Sequence, residues 1–308
     1  MSTTTEPGTA PPKRRKKKRG DGWIAVIFLA PLLVIYAVYF VYSIFFLGQT
    51  STQRVGISLL RPIEIGFENF AQLFADPVFG QAILNNLVFA AISVVAALTI
   101  AFFIAVSLST GVRGRKVFYL IFLLPALMPV SLVATVFGSM LQERFGVLNE
   151  TLRAIGLGDL AQSWLTTPGW AYAAVAVIFC YLIGLPIMYY TADLSALPTS
   201  SLEAALLDGA GTWRIMRSII YPMMRGTHIT VILALLLGSF RALEVVLFST
   251  QGGPGTTTEI VGTYLYGYVN STGKTVGYAA AASIVVLLIA LVISLLQMYF
   301  TRTRKADR

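Results

Sequence analysis

The chain has one cysteine and one histidine in 308 residues, and only 12% of its residues are charged. Cys180 alone excludes an intrachain disulfide, and the pair Cys180 and His228 is too few for a Cys/His metal cluster or a redox motif. His228, taken by itself, reads as an interfacial residue at a helix start. A soluble domain carries roughly 25% charged residues. Half that share, with 56% hydrophobic residues and a mean hydropathy of +0.75, points to lipid as the solvent. No Cys, His or carboxylate cluster with catalytic spacing falls in any apolar run, which weighs against a membrane enzyme. A phosphate-binding loop is missing as well. Gly267 and Gly273-Lys274-Thr275 come near one, but the pattern needs glycine where Tyr268 stands. No cofactor or metal is therefore expected on this chain.

What the chain does have is long apolar runs. Crossing a hydrocarbon core of about 30 Å takes about 20 residues at about 1.5 Å each. Six runs qualify, at about 23–47, 82–108, 117–141, 170–192, 229–248 and 276–300, so the sequence predicts an all-α membrane protein of six transmembrane helices. Pro31, Pro125, Pro129 and Pro186 fall in or near these runs and are expected to mark kinks.

The charge of +9 would ordinarily raise nucleic acid as a partner. Here the basic residues alternate with the apolar runs, and no nucleic acid is expected. Seventeen of them fall in the two tails and the loops after the second and fourth runs, against five in the other loops, with Arg241 left inside the fifth. The positive-inside rule then places both termini in the cytoplasm. Residues 1–22, which include seven consecutive Lys or Arg at 13–19, read as a disordered basic tail. The apolar run that follows is too long for a cleaved signal, so it is expected to be retained. The nuclear-localisation pattern at 13–19 is outweighed by its place beside a span, where lipid headgroups and orientation account for it. Residues 23–300 form the membrane domain, and 301–308 a second basic tail.

One loop, 193–226, is long and patterned. Pro198 interrupts the chain, and Ser200 with Glu203 has the spacing of a capping box. Leu202, Ala205, Leu206 and Gly209 follow at helical spacing. Gly209 and Gly211 break this helix. Thr212 is placed to cap a second one through Trp213, Ile215, Met216 and Ile219, up to Pro222. The product is a helix–glycine–helix elbow whose apolar side needs a protein partner or the lipid interface. The physics of the loop alone does not choose between them.

The string Glu203-Ala204-Ala205, Asp208-Gly209-Ala210, Ile219 and Pro222 resembles the EAA loop of ABC importer permeases. Tyr221 stands where leucine is usual in that loop, and Gly226 where a second proline often appears. Gly66-Phe67-Glu68-Asn69-Phe70, Gly252-Gly253-Pro254-Gly255 with the three threonines 256–258, and Gly277-Tyr278-Ala279-Ala280-Ala281 are similar to segments of the carbohydrate branch, the maltose-type and glycerol-phosphate-type permeases. The resemblance implies a type I importer permease fold with a cytoplasmic coupling helix between helices four and five. Glu203, Ala204, Ala205, Asp208 and Gly209 would dock on a cytoplasmic ATPase dimer. It further implies a second, related permease, an extracytoplasmic solute-binding protein, a bacterial-type plasma (inner) membrane, and import of a sugar or sugar-like solute by alternating access. ATP hydrolysis would belong to the separate ATPase chain. A secondary transporter or channel for a small polar solute is the competing reading. Such carriers usually show internal repeats and buried carboxylates; this chain shows no repeat, and Glu244 is its one convincing intramembrane carboxylate.

Arg241 and Glu244 lie three residues apart in the fifth run and are expected on one helix face, within pairing reach. Two roles fit: a structural ion pair near the end of the span, or, with Phe240, the lining of a translocation path. Tyr264, Tyr266 and Tyr268 either stack on a sugar ring or anchor at the interface.

Overall fold

The apolar runs become helices because a backbone in lipid has no water to satisfy its N–H and C=O groups. A computed structural model describes residues 21–109, 113–270 and 275–302. The basic stretch 13–19 and all but the first two residues of the C-terminal tail lie outside that range. The helices are α1 (Asp21–Ser51), α2 (Glu68–Ala75), α3 (Pro77–Ser109), α4 (Arg115–Leu127), α5 (Val130–Met140), α6 (Val147–Ala154), α7 (Pro168–Tyr181) and α8 (Gly184–Leu194). They continue with α9 (Thr199–Leu207), α10 (Thr212–Met223), α11 (Arg225–Ser239), α12 (Leu243–Leu247), α13 (Val261–Asn270) and α14 (Val276–Arg302). The chain up to Leu47 forms one unit and Gly48 onward another.

Four stretches are long and apolar enough to cross a membrane: Val26–Ser51, Pro77–Ser109, Pro168–Leu194 and Val276–Leu296. Two bent pairs would bring the number to six, α4 with α5 at 97° and α10 with α11 at 68°. The first bend sits at Met128-Pro129. The proline ring pushes the preceding residue out of the helical region, and Met128 is extended at φ −79, ψ 147. The second sits at Met224, which is fully buried.

The fifth run differs from expectation. It is not one helix over 229–248: α11 stops at Ser239, the chain turns through Phe240-Arg241-Ala242, and α12 restarts at Leu243. A continuing helix would use the Ser239 carbonyl for the amide of Leu243. Instead Asn86 of α3 donates its Nδ2 to that carbonyl at 2.5 Å, and its Oδ1 accepts from Val261 N at 2.8 Å.

Asn86 is one of four asparagines, each at most 3% exposed, that tie loops to the helices of the second unit. Asn69 donates to the carbonyls of Ser51 and Gln53, and Asn85 to those of Thr257 and Glu259. Asn149 donates to Glu143 and Gln162 and accepts from the Trp164 indole. Such burial is tolerated because each amide finds partners. A two-residue antiparallel pairing, Gln53–Arg54 with Ile63–Glu64, closes the loop after α1. The start of α14 lies against this loop so closely that a Cβ at Gly277 would stand 1.8 Å from the Gln53 carbonyl oxygen.

Candidate coupling elbow and solute cavity

The elbow is built from local signals. Pro198, at φ −65, ψ 123, cannot continue a helix, and α9 begins directly after it at Thr199. Ser200 therefore lies inside the first turn, not at the cap, and the expected capping box does not start this helix. The other end follows the glycine code closely. Gly209 N donates to Leu206 O and Ala210 N to Ala205 O, both at 3.0 Å, which is the Schellman pairing. Gly209 has φ +74, a conformation glycine adopts at no steric cost. Ala205 is buried and Ala210 half-buried, so they form the inner contact of this turn. Glu203, Ala204, Asp208 and Gly209 are all exposed, together with Leu206 at 62%, Leu207 at 89% and Trp213 at 66%. Gly211, not Thr212, caps the second helix; Thr212 is its first residue. α10 then winds through a π-turn at Met216–Ile220.

The base of the elbow is closed by side chains. Tyr190 and Asp193 come from the end of α8, and Thr227 and His228 from the start of α11. Thr227 Oγ1 donates to the Asp193 carboxylate. His228 Nε2 lies 3.0 Å from Tyr221 O and Nδ1 lies 2.9 Å from the Tyr190 hydroxyl. A carbonyl only accepts, so Nε2 carries a proton, and in the neutral ring Nδ1 then accepts from the Tyr190 hydroxyl. Phe102 of α3 sets its edge or face against Tyr190, Tyr221 and His228 at centroid distances of 5.5, 5.0 and 5.8 Å. His228 lies near the start of α11, as expected, and is 7% exposed with both ring nitrogens engaged.

A cavity of about 290 Å³ lies between α3, the α4–α5 bend, α7, α8 and α11–α12. Ser93, Met128, Phe179, Tyr189, Arg241 and Glu244 are among its walls. Arg241 sits in the turn after α11 and Glu244 in the first turn of α12, so the break removes the shared helix face. Among the described residues the ion pairs are Arg54–Glu68 at 2.9 Å and Arg153–Glu150 at 2.6 Å; Arg241 and Glu244 do not form one. Both present exposed side chains to the cavity. Phe240 is half-buried against the cluster of Leu73, Phe79 and Tyr264, and does not line it.

The pattern of the binding-protein-dependent transport system inner membrane components matches residues 97–305. The chain belongs to this family. It is 32% identical to a probable ABC transporter permease protein, YurN of Bacillus subtilis (strain 168), over 92% of this chain and 98% of that one. Identity to the lactose transport system permease protein LacF of Rhizobium radiobacter is 28%, over 92% and 95%. Its fold is that of a chain of a bacterial ABC transporter involved in the import of the acidic polysaccharide alginate, with a TM-score of 0.73 at 24% identity, covering 91% of this chain and 96% of the other.

The matched region of this permease contains the whole elbow and both Arg241 and Glu244. The tyrosines divide three ways. Tyr264 is buried and its hydroxyl donates to Asp76 Oδ2 at 2.6 Å, with the Tyr278 hydroxyl 2.8 Å away. Tyr268 stacks on Tyr278 at 4.6 Å, and Tyr266 is exposed. Tyr264 therefore neither anchors at an interface nor faces the cavity. Asp76 caps α3 by accepting from Val78 N at 2.8 Å. Burial pushes its carboxyl up, but the hydrogen bonds from Tyr264, Val78 and Tyr278 outweigh that and hold it below the usual carboxylate range. Sequence reasoning missed Asn85, Asn86 and Tyr190. The adjacent asparagines inside an apolar run were the available signal, because polar groups at that depth need partners.

Proposed function

We propose that this chain is the membrane-spanning half of an ATP-driven importer for a sugar or sugar-like solute, with six spans and both termini in the cytoplasm. Two bent pairs counted as spans would give an even number, and the 17-to-5 basic split supports a cytoplasmic position for the elbow. The relatives named for lactose and for sulfoquinovosyl glycerol favour a carbohydrate. The partners are a cytoplasmic ATPase dimer, a second permease and an extracytoplasmic solute-binding protein.

The observation that carries the reading is the closed base of the elbow. Tyr190–His228 and Asp193–Thr227 join the end of α8 to the start of α11, while Leu206, Leu207 and Trp213 stand exposed beyond them. A lever transmits motion only if its two arms cannot slide, and these bonds hold the arms together. ATP binding would draw the ATPase subunits together, carry Glu203, Ala204, Ala205, Asp208 and Gly209 with them, and turn the helices at the base. The cavity beside Arg241 and Glu244 would then open to the outside, where its charged groups could meet sugar hydroxyls; Phe240, off the cavity wall, would support the turn that holds Arg241. The test is Glu203→Arg in the assembled transporter. It should abolish co-purification of the ATPase and solute uptake while the chain remains folded. Intact association and uptake would refute the docking role.

A further inference from the structure

A second groove lies apart from the solute cavity, at the ends of α3, α4 and α8. Its volume is about 680 Å³. Arg115 and Lys116 line it together with Ser109, Thr191, Leu120 and Leu194; among its described lining residues two are cationic and none is acidic. The hydroxyls of Ser109, Thr191 and Ser195 are spent on the carbonyls of Val106, Ile187 and Ala192, so the side-chain donors left for a ligand are the two cations and the Tyr119 hydroxyl. From the groove an exposed apolar ridge climbs α4 through Leu120, Leu124 and Leu127, at 60%, 54% and 71% exposure. A positive end joined to an apolar track matches an amphiphile with an anionic head and a hydrocarbon tail. A soluble phosphate would use only half of it.

Position on α8 decides which side this groove faces. At about 100° per residue, Leu185, Pro186 and Tyr189, which line the solute cavity, fall on one side of α8. Thr191 and Leu194, which line the groove, fall on the other. On the function proposed above, a second permease would complete the cavity, and the groove on the opposite side of α8 would then face the bilayer.

We propose that this groove holds the phosphodiester headgroup of an anionic phospholipid of the cytoplasmic leaflet, with one acyl chain along the α4 ridge. The assignment of leaflet rests on the sidedness proposed above. That leaflet carries a negative surface potential, and each Lys or Arg beside it strengthens attraction by about fivefold.

The test uses the full-length chain in detergent, with phosphatidylglycerol or phosphatidylcholine added in mixed micelles and retained lipid counted by native mass spectrometry. Phosphatidylglycerol should be retained in preference and should raise the melting temperature. Arg115→Gln combined with Lys116→Gln should weaken its binding by about 25-fold, the product of two such steps. Ser109→Glu keeps both cations, sets an acid beside them, and should also weaken it. Neither variant should change melting in phosphatidylcholine, since these side chains are exposed. Equal retention of the two lipids, wild-type binding by the variants, or displacement by millimolar glycerol phosphate would each overturn the proposal, the last by revealing a free-anion site. Sidedness is read separately, by protease cleavage of the N-terminal tail in inverted vesicles, so its failure is distinguishable from failure to bind lipid.

Discussion

Removing the Tyr190–His228 bond tests the lever most directly. The Tyr190 side chain is fully buried and His228 is 7% exposed, so neither partner can turn to water when the other is lost. Tyr190→Phe leaves the Nδ1 lone pair facing a ring edge. His228→Leu strands the Tyr190 hydroxyl and removes the donor to Tyr221 O. An orphaned buried polar group costs about 1–3 kcal/mol, and that is the expected loss for Tyr190→Phe. His228→Leu should cost more, because it also gives up ring contacts with Phe102 and Tyr221, worth about 0.5–1.5 kcal/mol each. With both changes together the Tyr190 hydroxyl and the Nδ1 acceptor disappear as a pair. The double variant should then be less damaged than the sum of the single ones. Interhelical hydrogen bonds in membrane proteins give coupling energies averaging about 0.6 and reaching about 1.7 kcal/mol, and full burial places this one toward the upper value. Reversible unfolding in mixed micelles measures all three variants. Additivity within about 0.3–0.5 kcal/mol would show that the bond holds nothing. Uptake per ATP hydrolysed is the functional arm: Tyr190→Phe should lower it with ATPase association intact. An unchanged ratio would mean that motion does not pass through the base of the elbow.

Other variants probe separate parts. Gly209→Ala meets nothing within 4 Å but forces φ +74 on a residue with a Cβ, at about 1–2 kcal/mol. It should weaken ATPase association in a pull-down while global melting shifts little. Gly277→Ala places a carbon 1.8 Å from a backbone oxygen that cannot swing away, so it should lower thermal stability sharply, and wild-type melting would show that the α14 contact is looser than described. Asp76 gives a pH dependence. Its folded-state carboxyl lies below its ordinary value, so its stabilisation is complete at neutral pH and is lost as pH falls below about 4 through the folded value. Asp76→Asn should flatten that acid limb in a melting series, and an unaltered limb would refute the role of the Tyr264 bond. Arg241→Gln and Glu244→Gln should each reduce solute uptake and leave melting unchanged, because no ion pair joins them; a stability loss shared by both would restore the paired reading.

Hydropathy located the runs because lipid requires an unbroken internally bonded backbone, a demand written locally in composition. The Gly209 turn was legible for the same reason: its bonds join residues three and five apart. The cap of α9 lies two residues before the expected Ser200, since Pro198 admits a helix immediately after it and the Ser200–Glu203 spacing does not know where the helix starts. The end of the fifth helix was illegible for a different reason. Residues 229–248 read as one apolar run broken only by Arg241 and Glu244, yet the helix ends at Ser239, whose carbonyl is taken by Asn86, 153 residues earlier. The pairing of Tyr190 with His228 spans 38 residues, and that of Asp76 with Tyr264 spans 188. In each case the polar residue is visible inside or beside an apolar run, and its cost there guarantees a partner somewhere. Composition marks the debt without naming the creditor. This also explains why Arg241 and Glu244 were brought together on paper and stand apart in the fold. Their spacing of three implies contact only along a continuous helix, and the residue that breaks it comes from another span.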